Sequence, residues 1–581
     1  MNKRIIIRLL GLIIVLIVIA MTSVIAIDIT TKHTLVSFSR ESGCYTKPFT
    51  LFISAPRDSK IYYTLNSDVP TENSEIYHNG IFIDNASEHE NVYCMRKDVS
   101  TGFYTDLIAQ YQTRDPNPEY VSPDFLVDKC TVLRVLVVDN DGKKEYFTKC
   151  YFIKNKEEIK ENEVFIISIV SDPSNLFDYN TGIYVTGYTF DEYFEAGSLS
   201  RNWRSWSANY RRRGKEWERE ANIQIYNEKF ECILDKKVGI RTRGGISRGT
   251  IPRGLSVFAR NEYDGENIIP VDLFGTDFYA QRLNLDAGGN QTINVVSDYL
   301  LTKCADELYV SNKHYVPCEM YLDGEYWGFY WLCEKYDEDY VSHYYGVNEN
   351  DVVIVKDEAL EQGEYEDIRL YKGMKSFLKN NDMSLQSNYE KASEMIDIQS
   401  FVDYYALMVY IARCEDWPNG NCAVWRTRNT FGGGYYDGKW RYMLYDCNSS
   451  CMDYGDGTVD HDTLDYVINT DPVFSSLWVN NDFKAMFENR IIEIAGSCFD
   501  PDRVDTILDE YDEKMYMYLH KSWDRFYGIN NTKNLEYSRE MNVKKSFFHE
   551  REKYVRQWFD LDLHSLWSYD DYKKVFIIEK E

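Results

Sequence analysis

A short charged stretch divides this 581-residue chain into two parts with different hydrophobic patterns. Residues 154–163 contain seven charged side chains and Ile159 as the one apolar residue, which is typical of a solvated linker or an exposed helix. Before it, over residues 36–155, short runs of β-branched and aromatic residues alternate with polar ones, and this pattern indicates strands. The length alone suggests about three or four folding units. We therefore expect a separate β-sandwich at residues 36–155.

The second part begins with a hydrophobic strand at residues 164–170 and has a mixed pattern. Strand-like segments occupy roughly residues 164–360, with a helical stretch near 295–308. Helical patterns dominate afterwards, as at residues 401–411, where the helix is expected to be amphipathic, and at 535–558. A β-rich half followed by an α-rich half fits a two-lobed enzyme with a cleft between the lobes. The predicted fold class is multidomain α+β.

The N-terminus has the pattern of an export signal. Lys3, Arg4 and Arg8 precede an almost uncharged run from Leu9 to Ile27. Cleavage after Ala26 would release a secreted protein, whereas about 20 apolar residues are also enough for an uncleaved membrane anchor through residues 5–27. We therefore expect residues 1–26 to be a signal peptide or anchor, and the protein to be secreted or held at the cell surface.

Charge and cysteine usage exclude several classes of function. The formal net charge of −28 gives a surface that repels phosphate backbones, so nucleic acid is not expected as a partner. Thirteen cysteines spread over large domains do not form a disulfide scaffold. With nine histidines and no His-Glu-x-x-His motif, the sequence gives no basis for zinc chemistry.

Two segments of the first part resemble the chitobiase C-terminal-like β-sandwich repeat. They are residues 42–71, with the strand Lys60–Thr64 and a following Pro70-Thr71, and residues 131–142, which end in Asp141-Gly142. The resemblance implies a fold and says almost nothing about an activity. Carbohydrate binding by this module is the least favoured function, because the first 150 residues contain no tryptophan for sugar stacking.

Four segments of the second part, in this order, resemble the CotH (spore-coat protein H) kinase family: residues 238–248, 319–335, 416–421 and 440–448. Each segment alone is weak evidence, but their order and spacing over residues 164–565 are specific. The resemblance implies an atypical, two-lobed protein-kinase-like domain over that range. It also implies ATP and Mg²⁺ as cofactors and a surface or coat protein as the substrate.

The resemblance assigns the catalytic and metal-binding roles to the last two segments. A kinase-type site needs an Asp that orients the acceptor hydroxyl, an Asn five residues later, and a further Asp on Mg²⁺. Asp416 and Asn421 have this separation, and Asp446 follows an apolar run. We therefore expect Asp416 to be catalytic, and Asn421, Asp446 and Asn448 to bind the metal. Asp and Asn also form turns and helix caps at such places, which is the alternative for each of them.

The expected nucleotide-binding residues lie in the first two segments and in a later strand. Gly244, Gly245 and Ser247 form a turn that allows backbone N–H groups to approach phosphates. In the family this turn leads to a lysine, and Arg253 stands at the corresponding position. Glu334 and Lys356 follow apolar strands and are expected to pair with each other or to face the nucleotide, with a surface ion pair as the alternative.

Three departures from the family pattern leave a second function open. Arg253 replaces a lysine, Ser297 replaces an arginine before Asp298, and Asn448 replaces an aspartate. Asn coordinates Mg²⁺ without contributing charge, and Arg differs from Lys in reach. The first hypothesis is therefore an exported kinase that phosphorylates Ser or Thr of a surface or secreted protein. The alternative is a catalytically weak or inactive surface-interaction protein with the same fold.

Overall fold

The computed structural model describes residues 36–111, 120–197, 199–288, 296–414, 417–431, 433–447, 450–452 and 457–559. The predicted signal or anchor at residues 1–26 lies outside the described residues. The chain divides into two compact units. The smaller unit combines the chain up to His89 with Lys129–Lys160, and the larger unit combines Glu90–Asp128 with the chain from Glu161 onward.

The described residues form the following strands and α-helices, numbered in chain order. The strands are β1 (Ser37–Phe38), β2 (Gly43–Tyr45), β3 (Phe49–Leu51), β4 (Ile53–Ser54), β5 (Lys60–Thr64), β6 (Glu75–Ile76), β7 (Ile81–Ile83), β8 (Thr131–Val138), β9 (Lys144–Ile153), β10 (Phe165–Ser171), β11 (Arg219–Tyr226), β12 (Cys232–Thr242), β13 (Leu255–Phe258), β14 (Arg282–Asp286), β15 (Tyr315–Leu322), β16 (Glu325–Glu334), β17 (Val352–Lys356), β18 (Ala359–Gln362), β19 (Ala423–Thr427) and β20 (Arg441–Met443). The α-helices are α1 (Thr105–Gln110), α2 (Lys156–Lys160), α3 (Pro173–Phe177), α4 (Gly187–Glu195), α5 (Asn261–Asp264), α6 (Val296–Ala305), α7 (Glu338–Tyr345), α8 (Ile368–Asn380), α9 (Gln386–Met395), α10 (Ile398–Tyr410), α11 (Thr463–Thr470), α12 (Pro472–Trp478), α13 (Asn481–Ala495), α14 (Pro501–Tyr527) and α15 (Lys533–Trp558).

The smaller unit is built from sheets around one apolar core. Its main sheet has the order β2-β9-β8-β5-β6, and two pairs, β3–β7 and β1–β4, complete it. Strands β3 and β7 each bury their first and third residues and expose the middle one, as expected for a sheet with one face on a core. Leu51, Ile83, Leu133 and Val135 are fully buried in that shared core. The predicted β-rich N-terminal module is confirmed.

One segment inside the predicted range of this module belongs to the larger unit. Residues 90–128 leave the smaller unit and bond to strands of the other. The Glu325 carboxylate accepts hydrogen bonds from the backbone N–H of Val92 (2.6 Å) and of Cys94 (2.7 Å). The charged stretch at residues 154–163 contains helix α2, in which no residue is buried. Of the two structures predicted for this stretch, the exposed helix is observed.

The larger unit contains a closed seven-stranded barrel, with the order β10-β11-β12-β13-β14-β16-β15. Strands β10 and β15 close it in parallel, and the other neighbouring pairs are antiparallel. Every residue of β16 is buried, because helix α14 covers this strand. A Cβ at Gly328 (φ +118°) would lie 3.0 Å from the Phe526 ring and from Ser522 Oγ, so glycine permits the close approach of the helix.

A four-stranded antiparallel sheet, β18-β17-β19-β20, packs with most of the helices around the largest apolar core. The helical stretches predicted near residues 295–308, 401–411 and 535–558 are observed as helices α6, α10 and α15. Helix α10 differs from its predicted amphipathic character, because every residue from Ser400 to Tyr410 is buried. Phe401 explains this, since its ring contacts Tyr442 of the sheet and also Phe483 of α13.

The division of the larger unit into two kinase lobes remains a prediction. Among the described residues, none of the helices is both long enough and apolar enough to cross a membrane.

Candidate functional site

Three carboxylates from separate elements of the larger unit act on one another. Asp286 ends β14, Asp298 lies in the first turn of α6, and Asp446 follows β20. Asp298 Oδ1 accepts a hydrogen bond from the backbone N–H of Cys447 at 3.1 Å, which ties α6 to the chain beside Asp446. Burial, and then the negative charges of Asp446 and Asp286, raise the pKa of Asp298 to about 7. The three groups therefore form one electronegative cluster.

Local backbone geometry explains how Asp446 reaches this cluster. Its φ of +48° lies in the left-handed region, which Asp and Asn adopt more readily than most residues. The chain thus turns sharply after the buried strand β20, and the Asp446 side chain lies at the surface. The predicted position at the end of a strand is observed. The predicted metal ligand Asn448 lies outside the described residues.

Cations surround the carboxylate cluster and partly balance it. Arg243, directly after β12, forms an ion pair with Asp286. Burial acts to raise the pKa of Asp286, but Arg243, the Gly288 N–H and Lys313 together hold it below its ordinary value. The positive charge of Lys313 also opposes the rise in the pKa of Asp298.

Two lysines flank Tyr445, the residue before Asp446. The Nζ atom of Lys356 lies 3.9 Å from the centre of the Tyr445 ring, and that of Lys313 lies 4.9 Å from it. Burial acts to lower the pKa of Lys356, but Tyr445, Asp357 and Asp446 outweigh burial and raise it. Lys356 is therefore held charged beside Asp446. Lys356 lies 3.7 Å from Asp357, and its predicted role in facing a nucleotide stays a prediction.

The loop that was predicted to carry the catalytic residue is fixed on both flanks. Asp416 itself lies outside the described residues. The Tyr466 hydroxyl lies 3.0 Å from the carbonyl oxygens of both Cys414 and Trp417. On the other side, Cys422 and Asp357 exchange two hydrogen bonds, of 3.0 and 3.1 Å. Asn421 lies in this loop, next to β19, with a left-handed φ of +50°.

The predicted glycine turn borders the same cluster. Gly244 has a φ of +110°, and a Cβ there would lie 2.1 Å from Ser247 Oγ, so only glycine fits. Gly245 faces open space and precedes a short 3-10 helix, Ile246–Gly249. Because Arg243 both precedes the turn and pairs with Asp286, the turn lies beside the carboxylates.

Arg253 does not occupy the predicted phosphate-binding position. Its side chain is completely buried, and its guanidinium lies between the rings of Tyr184 (4.4 Å) and Tyr210 (3.9 Å). The guanidinium donates to the carbonyl oxygens of Arg248 (3.0 Å), Tyr184 (2.8 Å) and Val99 (2.5 Å). A cation enclosed by rings and carbonyl groups is not open to a nucleotide. Arg253 instead ties the barrel to the 90–128 segment.

Glu334 also differs from its predicted arrangement. It is completely buried, and it accepts hydrogen bonds from the His314 backbone N–H (2.8 Å) and from the Tyr344 hydroxyl, while His314 Nδ1 lies 3.0 Å away. The hydrogen bond to Glu334 raises the pKa of His314. Glu334 therefore holds β16 to its neighbours and forms no ion pair with Lys356 in the described part of the chain.

Sequence reasoning missed four members of the cluster: Arg243, Asp286, Asp298 and Lys313. Asp298 had a usable signal, since it is a carboxylate in the first turn of a predicted helix and corresponds to the aspartate of the Arg-Asp pair in the family. Asp286 had no such signal, because the sequence Asp-Ala-Gly-Gly is typical of a turn. The cluster forms from segments distant in sequence, and local patterns do not show which of them meet.

Comparison with known families supports both parts of the sequence prediction. The family model described as CotH kinase protein matches residues 240–555, which is more than half of the chain. The model described as Fn3 associated matches residues 41–151, within the predicted β-sandwich range. No curated protein matched the chain. The family matches cover both structural units and include all three carboxylates of the cluster.

Proposed function

Because the chain belongs to the CotH kinase protein family, we propose that it is a kinase that transfers the γ-phosphate of ATP to Ser or Thr of another protein. One observation carries this proposal beyond the family membership. Asp286, Asp298 and Asp446 come from three elements and meet beside Lys313 and Lys356. Opposed sets of carboxylates and lysines are the groups that bind a metal–nucleotide complex.

The carboxylates fit a Mg²⁺ ion that is shared with nucleotide phosphates. No group of three or more His, Cys, Asp or Glu that could hold a metal by itself occurs in the described ranges. Mg²⁺ on a nucleotide needs only one or two protein carboxylates, since phosphates and water fill its other positions. Asp298 and Asp446, with Asn421, would hold the ion. Their mutual repulsion, seen in the raised pKa of Asp298, favours a cation between them.

The protein residues then have separable roles. When bound, Mg²⁺ stabilises the negative charge of the phosphoryl group that is transferred. Lys313 and Lys356 supply the positive charge that the sequence assigned to Arg253. The turn at Gly244 and Gly245 admits phosphate oxygens close to the backbone.

The acceptor side of the site depends on the loop that carries Asp416. In the proposal, the Asp416 carboxylate orients the acceptor hydroxyl, while Tyr466 and Asp357 keep the flanks of its loop in place. The acceptor is a surface or secreted protein, and export follows the N-terminal signal or anchor. The acidity of the chain makes nucleic acid an unfavourable partner.

The proposal is tested by measuring Mg²⁺-ATP binding by calorimetry and phosphate transfer to Ser- and Thr-containing peptides from labelled ATP. Asp298→Asn should lower transfer by about tenfold or more, because it removes a charge that acts on the metal. Asp465→Asn is the matched control, since Asp465 is an exposed first-turn aspartate of α11 and should leave transfer unchanged. Binding without transfer to any acceptor would favour an inactive homologue. Absence of Mg²⁺-ATP binding by the wild type would refute the nucleotide site.

A further inference from the structure

Two segments of this acidic protein carry a concentration of arginines. Acidic residues exceed basic ones by 93 to 65 over the whole chain, but residues 201–219 reverse this balance and contain only Glu216 and Glu218 as acids. The cations of this segment are Arg201, Arg204, Arg211, Arg212, Arg213, Lys215 and Arg219. Residues 241–253 add four more arginines and no acid. This local excess of positive charge needs a structural or a functional explanation.

Part of this positive charge is neutralised within the protein. Glu218, whose side chain is 1% exposed, pairs with Arg260 at 2.7 Å and with Lys215 at 2.8 Å. Arg241 lies 3.7 Å from the same carboxylate, and Arg243 pairs with Asp286. These four cations have a structural explanation.

Three of the arginines that lack such neutralisation also act on one another, and we call them the arginine cluster: Arg211, Arg213 and Arg248. None of them forms an ion pair with a carboxylate in the part of the chain that the structure describes. Arg248 donates to the carbonyl oxygen of Thr242 at 3.2 and 3.3 Å. Arg211 donates to the carbonyl oxygens of Arg204 (2.7 Å) and Ile246 (3.3 Å). Carbonyl groups position a guanidinium, but they do not cancel its charge.

The members of the cluster repel one another. Burial, followed by the charges of Arg213 and Arg211, lowers the pKa of Arg248 to about 10. Burial likewise lowers the pKa of Arg211, and Arg213 adds to the effect. A shared anion would relieve this repulsion, since guanidinium groups bind carboxylate and phosphate with two parallel hydrogen bonds.

The cluster lies next to the candidate site but is distinct from its cations. Arg248 belongs to the 3-10 helix after the Gly244 turn, and Arg243 joins the other end of that turn to Asp286. The cations with the largest effect on Asp298 are Lys313 and Arg413, and neither belongs to the cluster. The proposed metal and nucleotide therefore have their own positive groups.

We propose that the arginine cluster is a subsite that binds a carboxylate or phosphate group of the acceptor protein, close to the Ser or Thr that receives phosphate. This inference rests on the proposed kinase function. Charge complementarity selects the occupant, because the net charge of −28 repels an acidic segment over most of the surface and the cluster attracts it at one place. The subsite would thus set the register of the acceptor.

Direct binding tests the subsite without any catalytic step. The probe is a short peptide with phosphoserine and glutamate residues, titrated by calorimetry into the full exported chain in the absence of nucleotide. Arg213 is exposed, so Arg213→Gln should fold normally and should weaken binding by about fivefold, with a further loss for Arg213→Glu. Arg212→Gln is the matched control. Arg212 is the exposed neighbour, its Nε donates to Thr189 Oγ1 at 3.2 Å, and its loss should leave peptide binding unchanged.

A second measurement compares phosphate transfer to two Ser peptides that differ only in flanking glutamate or glutamine. Wild type should prefer the glutamate peptide, and Arg213→Glu should lose this preference. Peptide binding without phosphate transfer would support the subsite and refute the kinase function. Transfer without acid preference would overturn the subsite alone. If the cluster variants weaken Mg²⁺-ATP binding and leave peptide binding unchanged, or if Arg212→Gln weakens peptide binding equally, the proposed subsite is also overturned.

Discussion

Two groups of charged residues near the Gly244 turn are built in opposite ways. Around Glu218, three cations and the Tyr263 hydroxyl converge on one buried carboxylate, and every charge has a partner. In the arginine cluster, Arg211 and Arg248 donate to carbonyl oxygens, and no member pairs with a carboxylate among the described residues. The first arrangement stabilises the fold without any ligand. The second would be completed by the anion of the proposed subsite, so its charge has a proposed functional explanation in place of a structural one.

The same contrast appears between two aspartates of the larger unit. Asp403 of α10 accepts two hydrogen bonds from Arg490, at 2.7 and 2.9 Å, and one from the Tyr309 N–H at 2.6 Å. Asp298 instead has a raised pKa, first because it is buried and then because Asp446 and Asp286 are negatively charged. A carboxylate that the fold repels is typical of a site shaped for a cation.

The largest effect is expected at Arg253, whose completely buried guanidinium lies among carbonyl groups and tyrosine rings and leaves no room for an anion. Arg253→Ala should lower the free energy of unfolding by about 3–5 kcal/mol, because it leaves three buried carbonyl groups without their donor. Arg253→Lys should recover only part of the loss, since one ammonium cannot reach all three acceptors. Urea unfolding measures both variants. If the Arg253 variants keep the stability of wild type and lose Mg²⁺-ATP binding, Arg253 contacts phosphate as the sequence predicts.

Glu218 gives the next effect, together with a pH signature. Burial acts to raise its pKa, but Arg260, Lys215 and Tyr263 outweigh it and lower the pKa from 4.5 to about 2. A lowered carboxyl pKa stabilises the fold above pH 4.5, and the stabilisation is lost as the pH falls toward 2. Glu218→Gln should therefore cost about 3 kcal/mol at pH 7 and much less near pH 2.

Unfolding of the Glu218→Gln variant, measured between pH 2 and pH 7, checks this prediction. The exposed neighbour Glu216 supplies the control, and Glu216→Gln should differ little from wild type at any pH. If Glu218→Gln lowers the free energy of unfolding equally at pH 2 and at pH 7, the charge of Glu218 is not what stabilises the network.

The smallest effect is expected at Tyr466, which holds the loop of Asp416. Tyr466→Phe removes one hydroxyl from two carbonyl groups and should cost about 1 kcal/mol of stability. Turnover should fall about threefold to tenfold, while Mg²⁺-ATP affinity stays nearly the same, because the loop orients the acceptor. Tyr365→Phe is the control, since Tyr365 is 83% exposed. An equal loss of nucleotide affinity would contradict this division of roles.

The sequence predicts elements well where the pattern is local. Helix α15 was predicted at residues 535–558 and is observed at Lys533–Trp558, and strand β10 was predicted within one residue of its bounds. Helix α10 was recognised as a helix, but its burial on all sides depends on packing partners from β20 and α13. The sequence pattern assigned residues 90–128 to the first module, although they belong to the larger unit. The order of segments along the chain does not show which unit a segment packs into.

The candidate site was predictable only in part. Asp446 follows a strand and Lys356 ends one, as their local signal predicts, while their roles in a site stay predictions. Arg253 satisfied the same reasoning about charge and position, but burial among carbonyl groups and tyrosine rings removes it from the site. Asp286 and Asp298 act only through their proximity to Asp446, which is a tertiary property.

Thermal unfolding of wild type and Asp446→Asn, each with and without Mg²⁺-ATP, tests the central claim most directly. Without ligand, Asp446→Asn should unfold at the same or a higher temperature, because it removes the repulsion of Asp298. With Mg²⁺-ATP, wild type should be stabilised through binding to the folded state, and the variant should lose most of this gain. A variant that is less stable without ligand and gains as much from Mg²⁺-ATP as wild type would contradict the proposed site.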